Sequence, residues 1–397
     1  AIIPLFVHGE FPAFKLGERP LQEIVTPSLA KQLNVADVLV FVNPQKLGRS
    51  NDQKFVRLRE RAAAWPEVRL RALGLRMVED LSNVEHTFFT LDLSDGLKSQ
   101  FSILFRNPDK TPPFIFDRLK NAPSKHAPHY RGLPGGRVLG AVAIGDAATR
   151  NAELLTVLNR LDYIQLQHFM NEVFDFRTDD ETASNLIEFL VSASKKTDGV
   201  RAALYLDNTL AIIVDTPKPD EVIASIRELL ADESLGKMFE YVPNSLEIAG
   251  VQVDTTVVRR KKDLPANASP TAKAIAKIVK NGLLIAKVGE HVVITSEPAP
   301  NLMEAAIANI KADKPGLAAP DRIEGQTDLV DVRFHASQVV RHFWSMVAPG
   351  RHVTPDADAE FSRMRIQATT QEITIEVAIS QAEFLKSLKA AWEENRR

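Results

Sequence analysis

The stretch 86-HTFFTLDLSDGLKSQFSILF-105 is written as a β-hairpin. Phe89, Leu91 and Leu93 alternate with polar residues, Ser94-Asp95-Gly96 follows, and Phe101, Ile103 and Phe105 alternate again. Alternation at period two is the signature of a strand with two unlike faces. Asp-Gly between two such runs marks a tight turn, because its central residues need positive φ. Asn107-Pro108 then stops the second strand. Beyond Pro112-Pro113, the residues Phe114, Ile115, Phe116 and Leu119 predict a short helix.

The same order of strand, turn, strand and helix recurs three times downstream. Leu204 and Leu206 lead to Asp207-Asn208, Leu210 to Val214 return, and Val222, Ile223, Ile226, Leu229 and Leu230 take helical spacing. Leu284 to Ala286, Gly289-Glu290 and Val292 to Ile294 make the next hairpin, followed by a helix with Leu302, Ile307 and Ile310. Met364 and Ile366 face Ile373, Ile375 and Val377 across Thr369-Thr370-Gln371, before a helix carrying Phe384, Leu385, Leu388 and Trp392. Single strand-then-helix pieces begin at Val38, Val138 and Val330. Irregular spacing disfavours a solenoid. The pattern predicts an α+β fold: antiparallel sheets built from repeated hairpin–helix units, with helices on one face.

At 397 residues the chain has room for two or three domains of about 100–200 residues. Tyr163 to Val173 reads as an amphipathic helix, and Asp175 to Asp180 turns polar. The division expected there is an N-terminal α+β domain at 1–175 and a C-terminal one at 181–397. Two other polar stretches, 259–270 and 311–328, read as long loops.

Composition excludes more than it selects. Lys plus Arg number 49 against 51 Asp plus Glu, a net charge of −2, and no basic stripe is interleaved with aromatics. Nucleic acid is therefore not an expected partner. No run approaches the 18 apolar residues of a membrane span. The chain has no cysteine, which removes disulfides, thiolate metal sites and a cysteine nucleophile together. Ala1 is either an artificial start or the small residue left after a signal peptide is cut. With the missing thiols, it predicts a periplasmic or extracellular protein. Phenylalanine, at 20 residues against 4 Tyr and 3 Trp, points to core packing or to a greasy groove.

Three phrases carry a resemblance. They are Ala36-Asp37-Val38-Leu39-Val40-Phe41-Val42-Asn43, Asp80-Leu81-Ser82-Asn83-Val84-Glu85 and Val138-Leu139-Gly140-Ala141-Val142-Ala143-Ile144-Gly145-Asp146. Together they resemble uncharacterised exported proteins of planctomycete-type bacteria. The resemblance implies an extracytoplasmic location and a duplicated α+β architecture, and it transfers no functional residue.

Catalytic motifs are missing: there is no G-x-S-x-G, P-loop, G-x-G-x-x-G after a strand, or H-E-x-x-H. Gly132-Leu133-Pro134-Gly135-Gly136 precedes a strand, so it reads as a tight turn and not as a phosphate cradle. His126 and His129 flank Ala127-Pro128, which breaks a helical pairing. His335 and His342 lie seven apart and His352 follows Pro349-Gly350, a set that zinc would accept with an added carboxylate. Asp356, Asp358 and Glu360 alternate after Pro355 and would suit calcium. The plainer readings are half-buried helix histidines and a solvated acidic loop. No cofactor is expected, and these six residues are the candidate ligands if zinc or calcium is held. The basic residues at 54–71 and 259–262 read as solvated faces, or as contacts for an acidic surface polymer. The expected function is an exported, non-enzymatic binding or assembly protein with a protein or surface-polymer partner. The alternative is a metal-dependent or hydrolytic enzyme with a site scattered across loops.

Overall fold

The computed structural model describes residues 2–6, 15–16, 19–20, 36–42, 49–65, 68–105, 128–146, 192–193, 195–231, 239–258, 280–314, 327–347, 360–368 and 372–396. The strands are β1 (Ile2–Phe6), β2 (Lys15–Leu16), β3 (Arg19–Pro20), β4 (Val38–Val42), β5 (Val84–Asp92), β6 (Leu97–Phe105), β7 (Val138–Ile144) and β8 (Gly199–Tyr205). They continue as β9 (Leu210–Asp215), β10 (Phe239–Ile248), β11 (Val251–Val258), β12 (Leu283–Val288), β13 (His291–Ser296), β14 (Thr327–Phe334), β15 (Ser362–Ala368) and β16 (Glu372–Ile379). The described helices are α1 (Arg49–Ala63), α2 (Val68–Ser82), α3 (Pro219–Ala231), α4 (Asn301–Lys311), α5 (Ala336–Val347) and α6 (Gln381–Arg396). None of them is long and apolar enough to cross a membrane.

Local chemistry closes each hairpin. Asp92 accepts hydrogen bonds from both the backbone N–H and the hydroxyl of Ser94, and Gly96 takes φ +105°. Asp207 does the same for Thr209, beside Asn208 at φ +65°. Gly289, at φ +60°, turns β12 into β13. Short polar side chains and glycine tolerate this left-handed region, which is why the turns fall there.

The expected set of sheets, each made of repeated units, is not what forms. Fourteen strands join one antiparallel sheet in the order β1-β4-β5-β6-β16-β15-β14-β7-β8-β9-β13-β12-β11-β10. The hairpins pair with each other edge to edge, so no unit closes its own core. Strands β14 to β16 sit between β6 and β7. The boundary expected at 175–181 falls outside the described residues, as does the helix expected at 114–119.

Helices also do not share one face. Met303, Ala306 and Ile307 of α4 pack on Ala141, Ala203, Ile213 and Val293. Val222 and Ile223 of α3 pack on Ile285 and Val292. Residues directly opposite in an antiparallel ladder point the same way, and neighbours along a strand point opposite ways. Ile213 and Val293 are paired, and each is one residue from Val214 and Val292, which are also paired. α4 and α3 therefore lie on opposite faces.

The face under α4 changes character along the sheet. Over β7 to β13 it is mostly apolar, with Arg201, Asp215 and His291 as a charged group on it. Over β5, β6, β16, β15 and β14 it carries Thr90, Gln100, Ser102, Thr374, Gln367, Arg365 and Asp331, all buried. On the reverse side, the paired Phe89 and Phe101 are 36% and 37% exposed. Phe88 and Leu104 are buried among these polar side chains, and Val84, Phe105 and Ala368 belong to a buried apolar cluster on the reverse side.

Candidate functional site

Two buried carboxylates anchor the polar side, and one loop joins them. Asp331, at the middle of β14, is fully buried. Its Oδ1 accepts from the Tyr130 hydroxyl at 2.7 Å and from Arg333 Nε at 3.0 Å, and its Oδ2 accepts from Arg363 Nε at 2.6 Å. Burial, followed by the nearby Asp331 charge, holds the Tyr130 phenol far above its usual value. Burial also pulls the Arg363 guanidinium below its ordinary value, although Asp331 works against the shift.

Asp215, at the end of β9, is the second anchor. Arg201 Nη1 donates to its Oδ2 at 2.5 Å, His291 Nδ1 lies 2.7 Å from Oδ1, and His129 Nε2 lies 3.3 Å from Oδ2. Burial alone would raise this carboxyl. The hydrogen bonds from His129, His291 and Arg201 outweigh it and hold the group far below the usual 3.8.

His129 and Tyr130 are chain neighbours, so the segment after Pro128 touches both anchors. The rest of that loop is pinned as well. Arg201 Nε donates to the Arg131 carbonyl, Tyr205 Oη to Pro134 O at 2.8 Å, and Asn309 Nδ2 to Leu133 O at 3.3 Å. Gly132, at φ +79°, donates its N–H to Lys314 O. The glycines at 132–136 form a clamped turn of the kind expected.

Beyond Asp331 the polar face is a row of paired side chains. Gln367 Nε2 donates to Asp328 Oδ1 at 2.5 Å, Thr374 Oγ1 to Glu372 Oε1 at 3.1 Å, and Gln100 Nε2 to Ser102 Oγ at 2.8 Å. Arg365 lies in the same row with only 6% of its surface exposed. Its Nε and Nη1 are buried without a hydrogen-bond partner, as is Nη2 of Arg363. The row offers acceptors, and N–H donors on Arg363 and Arg365 that have no partner, inside the protein.

The expected metal ligands are placed as follows. His335 lies just before α5, with Nδ1 3.1 Å from the backbone oxygen of Glu360 and its ring stacked on Phe361 at 4.0 Å. The Glu360 carboxylate instead accepts from Ser380 Oγ at 2.6 Å. His342 falls in α5, but its side chain is not among those described, and His352, Asp356 and Asp358 lie outside the described residues. Among the described residues, no group of three or more His, Asp or Glu could hold a metal ion.

Sequence reading missed both anchors. Asp215 reads as a strand breaker in Asp215-Thr216-Pro217, and His129 was set aside with His126. A usable signal was present in Asp331-Val332-Arg333 and Arg363-Met364-Arg365. Charges at every second position of an otherwise apolar strand mark one polar face.

No family model matches the chain. No curated protein matches it either. Among solved structures, crystal form IV of TP0453, a Treponema protein, is similar at a TM-score of 0.30 and 9% identity over 66% of this chain and 97% of that one. Crystal form III of TP0453 gives a TM-score of 0.28 and 8% identity over 66% of this chain and 98% of that one.

Proposed function

We propose that the chain is a non-enzymatic binding protein that holds a polar ligand against the covered polar face of β5, β6, β16, β15 and β14. The observation that carries this reading is the row of buried polar side chains across the middle of the sheet. Thr90, Gln100, Ser102, Gln367 and Thr374 are buried, while Phe89 and Phe101 on the reverse side are more than a third exposed. Burying polar groups costs free energy unless each finds a partner, so apolar residues are the default lining of a covered face. Gln100, Gln367 and Thr374 are paired within the row, and such a row beside unpartnered arginine nitrogens is suited to recognition. The cysteine-free composition supports an extracytoplasmic location within the same reading.

Denaturing the purified protein and analysing the released small molecules by mass spectrometry tests the proposal. A polar compound should be released from wild type, in a reduced amount from the double variant Gln100→Leu/Thr374→Val. Equal amounts from both, or none from either, would remove the reading.

One observation favours the enzymatic alternative. Asp215 orients two imidazoles that are each about one-third exposed, His129 at 34% and His291 at 30%. A carboxylate bonded to an imidazole is how a general base is held in place. Hydrolysis of p-nitrophenyl acetate that is lost in His291→Ala and retained in His335→Ala would establish that alternative.

A further inference from the structure

Asp331 is bonded to three donors, and Arg365 is not one of them. Tyr130 and Arg333 occupy one carboxylate oxygen and Arg363 the other. Arg365 stands directly opposite Asp331 in the β14–β15 ladder and opposite Glu376 on β16. Even so, its Nε and Nη1 find no partner. The neighbouring Arg363 keeps Nη2 unpartnered in the same buried setting. Arg333, Arg363 and Arg365 thus gather round Asp331, with Glu376 across the ladder from Arg365, and guanidinium nitrogens of Arg363 and Arg365 stay buried without a partner.

An unpaired buried charge costs several kcal/mol, far more than a surface arginine. Replacement by an apolar side chain would remove that cost, so keeping the charge calls for a partner that brings negative charge. Arg363 and Arg365 are two positions apart on β15 and share its polar face, which sets their Cα atoms about 7 Å apart. A guanidinium presents planar N–H donors that match the paired oxygens of a carboxylate or phosphate. Beside them, Gln100 and Thr374 belong to the same polar face, which suits a ligand whose remainder is polar and uncharged.

We propose that Arg363 and Arg365 form an anion-binding site for a small polar molecule carrying a phosphate or a carboxylate. The proposal rests on the reading of this face as a ligand-binding surface and adds the charge class of the ligand. Tyr130 and Arg333 act as positioning residues here, since they bond Oδ1 of Asp331 while Arg363 Nη2 and Arg365 Nε and Nη1 stay without an acceptor.

Thermal unfolding of the full chain tests it, with sodium phosphate or sodium malonate titrated against sodium chloride at constant ionic strength. At least one of the two anions should raise the wild-type melting temperature in a saturable way, and the stronger one identifies phosphate or carboxylate chemistry. Arg365→Met should abolish the shift. Arg365→Lys keeps the charge but loses the planar fork, so its half-saturating concentration should rise about tenfold. That variant decides the matter if the Met variant does not fold. Absence of a shift in wild type, or the same half-saturating concentration in Arg365→Lys, overturns the anion site. If a neutral polar compound is still released from the wild-type protein on denaturation, the binding reading survives and only the charge class falls.

Discussion

Arg365 faces Asp331 directly across the β14–β15 ladder, yet the carboxylate bonds to Arg333 on its own strand and to Arg363. Arg365, with 6% exposure, keeps its Nε and Nη1 without a hydrogen-bond partner. Replacing a buried, unpaired ion by an apolar side chain of similar length removes the desolvation cost and keeps the packing. Arg365→Met should therefore raise stability in plain chloride buffer by about 1–3 kcal/mol. Urea unfolding measures this, and a lower midpoint at unchanged slope would show that Arg365 contributes to the fold.

Asp215 makes the protein sensitive to acid. Its folded pKa lies below its unfolded one, so the stability it contributes is complete above the unfolded value of about 3.9 and is lost as pH falls through the folded value. Asp215→Asn leaves Arg201 buried without a charge partner, at a cost of about 3 kcal/mol at neutral pH. The gap between variant and wild type should narrow below about pH 4. Urea midpoints measured from pH 7 to pH 2 check this. A constant gap over that range would mean that the carboxylate's charge contributes nothing.

Gly96 approaches the backbone of the β16–α6 junction. A Cβ built on it would collide with the Ile379 carbonyl, and its φ of +105° strains any L side chain. Gly96→Ala should cost about 2 kcal/mol or more. Gly135 has open space around it and serves as the control, where Ala should change stability by less than about 0.5 kcal/mol. Equal melting temperatures for the two variants would contradict the close approach.

Glu297 caps α4 from outside the helix. Its Oε2 accepts from the N–H of Leu302 at 2.6 Å, and its Oε1 accepts from the N–H of Met303 at 2.8 Å and from Thr295 Oγ1 at 2.9 Å. The carboxylate satisfies two orphan donors at the positive end of the helix dipole. Glu297→Ala should cost about 3 kcal/mol, because both N–H groups lose their acceptor near the core. Amide exchange at Leu302 and Met303 should speed up more than at Ile310. Unchanged exchange would show that another acceptor takes over.

What the sequence revealed and what it hid follow from range. Asp95-Gly96, Asp207-Asn208 and Gly289-Glu290 announce their hairpins because the turn residues and the alternating flanks lie within twenty residues of each other. The pairing of Ile373 with Ile103, or of Val330 with Ile144, joins segments far apart in the chain and leaves no local signal. Several separate sheets and one shared sheet are identical at hairpin level. The alternation at Phe89, Leu91 and Phe101 was legible, but which side would be covered was not. Both sides bury apolar residues, Val84 and Phe105 on one and Phe88 and Leu104 on the other, so alternation alone does not say which is covered. Asp215 and Asp331 escaped because each lies in or beside an apolar strand, and His129, His291, Tyr130 and Arg363 reach them from other segments of the chain.

The interleaved strand order bears on the two expected domains. A chain nicked between Asp175 and Asp180 yields pieces 1–175 and 181–397. In the sheet the first piece supplies β6 and β7, and the second supplies β16, β14 and β8, which pair with them. Two ladders, β14–β7 and β7–β8, embrace β7 from both sides, and a third joins β16 to β6. Each ladder contributes backbone hydrogen bonds and packed side chains that a cut in the distant connection does not touch. The pieces should therefore elute together in size-exclusion chromatography under native conditions and separate only in denaturant. Removing Tyr130, which donates to Asp331 across the cut, should loosen the pair, so Tyr130→Phe should lower the urea concentration at which the pieces part. Two native fragments that elute apart, each resisting further digestion, would instead give each half its own core and restore the division at 175–181.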